Sequence, residues 1–88
     1  MKNLPTDLLR TFVTVTELGG FTAAADWLGR SQPAVSLQIR RLEQLLGQTL
    51  LVRSGHQLEL SRAGQLMFRY ARQILTLNDE AVAQFTKH

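Results

Sequence analysis

The sequence predicts a mainly α-helical fold: three helices that form a small core, then a two-stranded β hairpin, then a long final helix. Three observations support this prediction. Residues 21–46 have the pattern of a short helix, a tight turn at Gly29 and a longer helix. Residues 50–60 contain two short strand-like runs separated by a glycine, which is typical of a hairpin. Residues 61–87 repeat apolar side chains at intervals of three and four, as in a helix packed along one side.

The first helix is predicted over residues 3–18. Pro5 suits an early helical position, and the Asp7 carboxylate complements the positive end of the helix dipole. The Gly19-Gly20 pair ends the helix. One broad side is apolar and available for packing, and it consists of Leu4, Leu8, Leu9, Phe12, Val13 and Val15.

Residues 21–46 form a predicted helix-turn-helix. Thr22 is expected to cap its shorter helix and Ser31 its longer one, each through the side-chain hydroxyl. Trp27 could pack on the first helix or lie partly exposed, and we expect it to pack. The apolar residues of the longer helix fall on one narrow stripe, and they are Val35, Ile39, Leu42 and Leu46. The opposite side has a polar and basic character and comprises Gln32, Pro33, Ser36, Leu37 and Arg40.

A helix held by an apolar stripe, with its polar N-terminal half facing outward, is the arrangement that enters the major groove of DNA. The alternative is a plain helical hairpin with a solvated polar face.

The hairpin is predicted from an apolar run at residues 50–52, a tip at residues 53–56 and an alternating strand at residues 57–60. Its tip includes Arg53 and His56, two side chains that can be cationic. Following a helix-turn-helix, such a hairpin is a wing, and its tip would lie beside the minor groove, where arginine is attracted by negative potential. An ordinary surface hairpin with solvated charges is the alternative, which the preceding helices make less favourable.

Ser61 is predicted to cap the final helix, which extends to about Lys87 and measures roughly 38 Å. Its apolar stripe consists of Ala63, Met67, Tyr70, Ile74, Leu77 and Ala81, widened by Leu66, Leu75, Val82 and Phe85. Three short helices cannot cover a helix of this length. We therefore expect a homodimer in which the stripe packs against a second copy, with docking onto a further domain as the alternative.

Composition limits the classes of function. The 88 residues include 10 Lys and Arg against 7 Asp and Glu, a formal net charge of +3 that permits nucleic-acid binding without demanding it. The absence of cysteine excludes disulfides and thiolate metal sites. No apolar run reaches the ~18 residues of a membrane span. We therefore expect a soluble, cytoplasmic protein with no cofactor and no membrane partner.

Two other classes of function are the alternatives to DNA binding. His56 and His88 are the only histidines, and neither has an obvious Cys, Ser or paired-carboxylate partner, so an enzyme is not expected. A protein-interaction module that uses only the stripe of the final helix is the other alternative. It predicts binding to a partner protein without salt-sensitive affinity for duplex DNA.

With its elements in this order, the sequence resembles the DNA-binding domain of LysR-type transcriptional regulators over essentially its whole length. Four motifs support the resemblance: F-T-x-A-A-x-x-L, S-Q-P-A-V-S-x-Q-I-R-x-L-E-x-x-L-G, L-L-x-R and L-x-L-[ST]-x-A-G. The resemblance implies a winged helix-turn-helix over residues 1–60 and a dimerising linker helix over residues 61–88. It also implies an effector-binding domain that is absent here, so we expect the chain to be a fragment of a longer protein.

The resemblance further implies DNA contacts at matching positions. Thr22 would bind phosphate together with helix-end amides, Gln32 would pair with a base edge, and Pro33 would contact a thymine methyl. The full implied set is Thr22, Ser31, Gln32, Pro33, Ser36, Leu37, Arg40, Arg41, Arg53, His56 and Ser61. The implied partner is an interrupted palindromic operator in double-stranded DNA, bound by a homodimer. A tetramer and a contact with RNA polymerase are further options for the full-length regulator.

Three positions depart from the usual pattern of the family. Leu37 stands where many members have a polar or basic side chain, often Arg, so it could only contact a methyl group or pack. His56 replaces a frequent Arg, which would make a minor-groove contact weaker and sensitive to pH. Trp27 replaces a typically polar residue.

Overall fold

The structure is a computed structural model, and it describes residues 2–86. Its elements are α1 (Thr6–Leu18), α2 (Phe21–Leu28), α3 (Gln32–Leu46), β1 (Leu51–Ser54), β2 (Gln57–Leu60) and α4 (Arg62–Thr86). Three short helices, a hairpin and a long final helix confirm the predicted fold class. The predicted helix end at Lys87 and the terminal His88 lie outside the described residues.

The core is built around α1, which packs against α2, α3 and α4. Leu9 and Phe12 of α1 are completely buried, as is Leu42 of α3. The Phe12 ring meets the Phe68 ring of α4 edge-on, with 6.4 Å between the ring centroids. Leu50, just before the hairpin, is buried in the same cluster and therefore ties the wing to the helices.

The first helix begins later than predicted. Pro5 has an extended backbone (φ −62°, ψ 130°) and occupies the N-cap, so the predicted start at residue 3 was wrong. The Pro5 carbonyl accepts hydrogen bonds from the amides of Leu8 and Leu9. Gly19 ends the helix in the left-handed conformation, as predicted.

A buried hydrogen bond joins α1 to α3. The Thr11 hydroxyl donates to Gln38 Oε1 at 2.5 Å, and the two residues are only 2% and 7% exposed. Sequence reasoning missed this pair, because nothing in the local sequence indicates that the polar Gln38 faces inward among apolar residues.

Replacing Thr11 by valine is expected to lower the free energy of unfolding by about 1–3 kcal/mol, because the buried Gln38 carbonyl oxygen then lacks its donor. Urea denaturation followed by circular dichroism would measure the change. Thr14→Val is the matched control: the half-buried Thr14 donates its hydroxyl hydrogen to the Arg10 carbonyl of its own helix, in a bond exposed to solvent. Equal stability losses in the two variants would contradict the prediction.

The long helix α4 packs on the helical body through one side, where Gly64, Met67, Ala71 and Leu75 are buried. Met67 was predicted to lie in the dimerisation stripe, but its side chain is buried in the core of its own protomer. Its part in dimerisation stays a prediction. The large apolar side chains that α4 leaves exposed are Leu66, Tyr70, Leu77, Val82 and Phe85.

Two exposed ion pairs also connect α4 to α1. The Arg10 guanidinium binds the Asp79 carboxylate at 3.0 Å (Nη2 to Oδ1), and Arg72 pairs with Glu17. The Arg10 guanidinium holds the pKa of Asp79 below its usual value, and the Asn78 amide acts in the same direction. Exposed pairs of this kind contribute little to stability.

The hairpin is shorter at its tip than predicted. Residues of β1 and β2 pair from Leu51 opposite Leu60 to Ser54 opposite Gln57. Only Gly55 and His56 remain in the turn, and the φ of +63° at Gly55 suits such a two-residue loop.

The predicted tip at residues 53–56 was therefore too wide. Arg53 lies within β1, opposite Leu58, and is held by the strand pairing. The first strand also begins at Leu51 and not at Leu50.

Candidate nucleic-acid interface

The orientation of α3 is fixed by its cap and its buried side. The Ser31 hydroxyl accepts a hydrogen bond from the Ala34 amide at 3.2 Å, which confirms the predicted cap. The inward side consists of Val35, Gln38, Ile39 and Leu42. The outward side consists of Gln32, Pro33, Leu37 and Arg40, which are exposed, and of the half-buried Ser36. The helix therefore presents the predicted polar face to solvent.

Two polar side chains of this face are joined across one helical turn. Gln32 Nε2 donates to Ser36 Oγ at 3.0 Å. The contact orders both side chains and leaves the Gln32 carbonyl oxygen and the Ser36 hydroxyl hydrogen available. An acceptor and donors at fixed positions are what hydrogen bonding to the edges of bases requires.

Arg53 of the wing lies close to α3 and to the N-terminal end of α2. One groove is lined by Ser36, Arg40 and Arg53 together with Glu43 and neighbouring apolar side chains. A second groove is lined by Thr22, Gln32, Arg53 and His56, among other residues. The fold thus brings together polar groups from three elements that are distant in sequence.

The N-terminal end of α2 opens onto the second of these grooves. The helix begins at Phe21 after an extended Gly20, and no side chain in residues 2–86 caps it. The prediction that Thr22 is the cap was therefore wrong: Thr22 lies in the first turn, with its side chain exposed. Since helix amides point toward the N-terminus, the uncapped first turn suits an anionic oxygen such as that of a phosphate.

Arg41 lies apart from this surface. It lines a different groove with Asp7 and with Lys2, whose Nζ donates to the Leu45 carbonyl at 2.7 Å. The two successive arginines of α3 therefore face different surroundings, because one residue of a helix is turned about 100° from the next.

Ser61 caps α4 as predicted, since its hydroxyl oxygen accepts from the Gly64 amide at 2.9 Å. The same hydroxyl donates its hydrogen to the Thr49 carbonyl at 2.5 Å. Both hydrogen bonds of the Ser61 hydroxyl are therefore made within the chain, where the wing meets α4. Its implied contact with phosphate stays a prediction.

Trp27 is 77% exposed, so the prediction that it packs on the first helix was wrong. The packed side of this short helix is supplied by Ala24, Ala25 and Leu28. Trp27 is turned about 100° from Leu28 and therefore points away from the core.

Glu43 is a supporting residue that sequence reasoning missed. Its carboxylate accepts hydrogen bonds from the amides of Leu50 (2.8 Å) and Leu51 (3.3 Å). These contacts attach the start of β1 to α3 and so fix the wing relative to the polar face. The only signal in the sequence was a lone acidic residue near the end of α3.

The helices, the hairpin and the polar surface between them define a winged helix-turn-helix domain. Residues 6–65 match the sequence model of the family described as bacterial regulatory helix-turn-helix protein, lysR family. The chain belongs to this family, and it contains the family's DNA-binding domain.

Curated relatives support the same classification. The chain is 52% identical over 81 residues to the HTH-type transcriptional regulator PecT of Dickeya dadantii (strain 3937), covering 92% of this chain and 26% of that protein. It is 39% identical over 82 residues to DgdR, an HTH-type transcriptional regulator of Burkholderia cepacia, covering 93% and 28% respectively. The chain thus spans about a quarter of the length of these relatives.

Solved structures share the fold over nearly the whole chain. The BenM_DBD/catB site 1 DNA complex superposes with a TM-score of 0.90 at 36% identity, covering 96% of this chain and 94% of that one. CbnR, a LysR family transcriptional regulator, gives a TM-score of 0.87 at 37% identity, covering 92% and 28%. Oxidized OxyR of Corynebacterium glutamicum gives 0.89 at 30% identity, covering 98% and 28%. These likenesses confirm the winged helix-turn-helix and the long helix that follows it.

Over residues 2–86, no helix has the length and apolar character needed to cross a membrane. Within the same described residues, no three His, Cys, Asp or Glu side chains lie close enough to hold a metal ion.

Proposed function

We propose that this chain binds double-stranded DNA sequence-specifically as a homodimer, with α3 in the major groove and the wing beside the minor groove. The main support is the convergence of Ser36 and Arg40 of α3 with Arg53 of the wing in one groove. A helix with outward polar groups and a flanking hairpin that bears Arg53 matches the two adjacent grooves of a duplex. The solved DNA complexes of the similar BenM domain support the same assignment.

The polar groups divide into two roles. Gln32 and Ser36 can form hydrogen bonds with base edges and so select sequence. Arg40, Arg53 and the uncapped first turn of α2 can bind phosphate oxygens and so position the helix. Because most of these groups are charged or are helix-end amides, affinity should depend strongly on salt.

The dimer would form along α4. Its unpaired apolar stripe includes Tyr70, Leu77 and Phe85, and Phe85 is 88% exposed. The half-buried Ala63 and Ile74 and the exposed Leu66 and Ala81 lie on the same side, about one helical turn apart. A second copy packed on this stripe would place two α3 helices about 34 Å apart, or a multiple of that distance, and so select an interrupted palindrome.

The wider functional assignment follows from this proposal. We infer a non-enzymatic cytoplasmic regulator whose full-length form adds an effector-binding domain after α4. Assembly into a tetramer and contact with RNA polymerase would belong to that full-length form. In vitro selection of bound DNA from a random library tests binding, half-site symmetry and spacing together. Recovery of no enriched sequence, or of one without two-fold symmetry, would contradict the proposal.

Replacing Gln32 or Ser36 by alanine is expected to relax discrimination between the selected site and single-base variants by about 1–3 kcal/mol at the contacted position. The cause is the loss of hydrogen bonds to a base edge, with little change in nonspecific affinity. Gel shifts with a panel of variant sites would measure it. Gln44→Ala is the matched control, since Gln44 is an exposed glutamine of α3 that lines the groove near Lys2. Undiminished discrimination in both test variants would show that another surface selects the sequence.

A further inference from the structure

The middle of the outward side of α3 bears an apolar side chain with no role in the core. Leu37 is 44% exposed, and it is absent from the buried cluster and from the partly buried side chains that pack on that cluster within residues 2–86. The sequence left two roles open for it: packing or contact with a methyl group. Its exposed apolar surface is therefore available to a binding partner.

A second apolar side chain stands beside Leu37. Pro33 lies one helical turn earlier and is also exposed. At about 100° per residue, Pro33, Leu37 and Arg40 fall within roughly 60° of one another on the outward side. The apolar pair therefore lies on the same sector of α3 as Arg40, which lines a groove together with Arg53.

The chemistry of Leu37 restricts what it can recognise in a major groove. Its side chain has no donor and no acceptor, so it forms no hydrogen bond with any base. The only apolar group on the major-groove edges of the four base pairs is the C5-methyl group of thymine.

We propose that Leu37, supported by Pro33, selects thymine at one position of each half-site by packing against its 5-methyl group. The inference rests on the proposed placement of α3 in the major groove. It extends that placement by assigning apolar recognition to a position between hydrogen-bonding and phosphate-binding side chains. Removing one buried methyl group should weaken binding about fourfold per half-site, and roughly fifteenfold when both half-sites are changed.

The test replaces each thymine of the selected operator by deoxyuridine, which removes the methyl group and keeps every hydrogen-bonding group. Wild-type protein should lose affinity, by the factor given above, at one symmetric pair of thymines. Leu37→Ala should bind thymine and deoxyuridine equally at that pair, whereas Leu37→Met, which keeps an apolar chain of similar length, should retain the preference. Thermal unfolding of Leu37→Ala should be close to wild type, because the site is exposed and alanine favours helix.

Two results would overturn the inference. One is wild-type binding that is indifferent to deoxyuridine at every position. The other is a preference for the methyl group that persists unchanged in Leu37→Ala, which would assign recognition to another side chain. If the wild-type protein binds no unmodified DNA, both this inference and the proposed function are overturned. That failure is seen in the selection experiment, before deoxyuridine is used, so it is distinguishable from a failure of the methyl contact alone.

Discussion

Gly64→Ala is expected to lower the free energy of unfolding by about 2 kcal/mol, although the same change usually stabilises a helix. A Cβ atom at this position would lie 2.1 Å from the carbonyl oxygen of Leu50 and 3.0 Å from its carbonyl carbon. Both are backbone atoms, so no rotation of a flexible side chain relieves the overlap. The Leu50 oxygen is also held in place, because it accepts a hydrogen bond from the Ser61 amide at 2.9 Å.

Two opposing contributions decide whether Gly64→Ala raises or lowers the free energy of unfolding. Exchanging glycine for alanine inside a helix contributes about 1 kcal/mol of stability through backbone entropy and helix propensity. Overpacking a closed contact costs typically 1–3 kcal/mol or more, and here the overlap exceeds what small shifts absorb. Steric repulsion should therefore prevail, and it should also displace Leu50, the residue from which β1 starts.

Thermal and urea denaturation followed by circular dichroism would measure the change. Gly20→Ala is the control, because Gly20 has an extended backbone and its added Cβ would meet no atom of the described residues within 4 Å, apart from its chain neighbours. That variant should lose only the modest preference for glycine over alanine at the N-cap of α2, and so should unfold closer to wild type than Gly64→Ala. Wild-type stability in Gly64→Ala would mean that α4 and the wing do not approach each other as closely as the structure indicates.

Local chemistry explains why much of the fold was predictable. Ser31 and Ser61 cap helices through hydroxyl contacts with amides three residues away, and that spacing is visible in the sequence. Gly29 and Gly47 end helices in the left-handed conformation for an equally local reason. Where one residue and its near neighbours determine the outcome, the sequence pattern was sufficient.

Predictions failed where packing between distant elements determines the outcome. Met67 matches the spacing of the exposed stripe, but its side chain is buried in the core of the protomer. The requirement for glycine at position 64 depends on the approach of Leu50, which no periodicity reveals. Thr11 and Gln38 are 27 positions apart, so their hydrogen bond is equally invisible in a local window.

The same distinction between local pattern and packing of distant elements applies to the residues of the candidate site. Helical periodicity was enough to place Gln32, Ser36 and Arg40 on the outward side of α3. Periodicity could not show that Arg53 lies beside both that side and the first turn of α2, because this depends on the angle of the wing. The position of Arg53 is therefore the structural result with the greatest consequence for function.

Arg53→Ala is expected to weaken operator binding by roughly a hundredfold to ten-thousandfold in the dimer. A hydrogen bond to a charged group contributes about 1.5–3 kcal/mol, and each of the two subunits would lose one. Arg53 lines both grooves of the proposed interface. Its replacement therefore removes a positive charge that both grooves share. Since β1 pairing holds Arg53 opposite Leu58, the backbone of the wing should keep its position.

The dependence of affinity on salt distinguishes a direct phosphate contact from a structural effect. Each neutralised phosphate contributes about 0.9 to the slope of log affinity against log salt, so Arg53→Ala should reduce the slope by roughly 2 in the dimer. Arg53→Lys should keep most of the slope, because it retains the charge, while losing affinity through the missing guanidinium geometry. Gel shifts or fluorescence anisotropy over a series of salt concentrations would measure both quantities.

Arg72→Ala provides the matched control for net charge. Arg72 is an exposed arginine of α4 that pairs with Glu17, so its replacement changes the total charge equally at a site away from the grooves. An exposed ion pair contributes little to stability, and this variant should therefore fold and bind with a nearly unchanged slope. An equal loss of slope in Arg53→Ala and Arg72→Ala would mean that total charge governs the affinity, whereas a loss confined to Arg53→Ala places a phosphate against the wing.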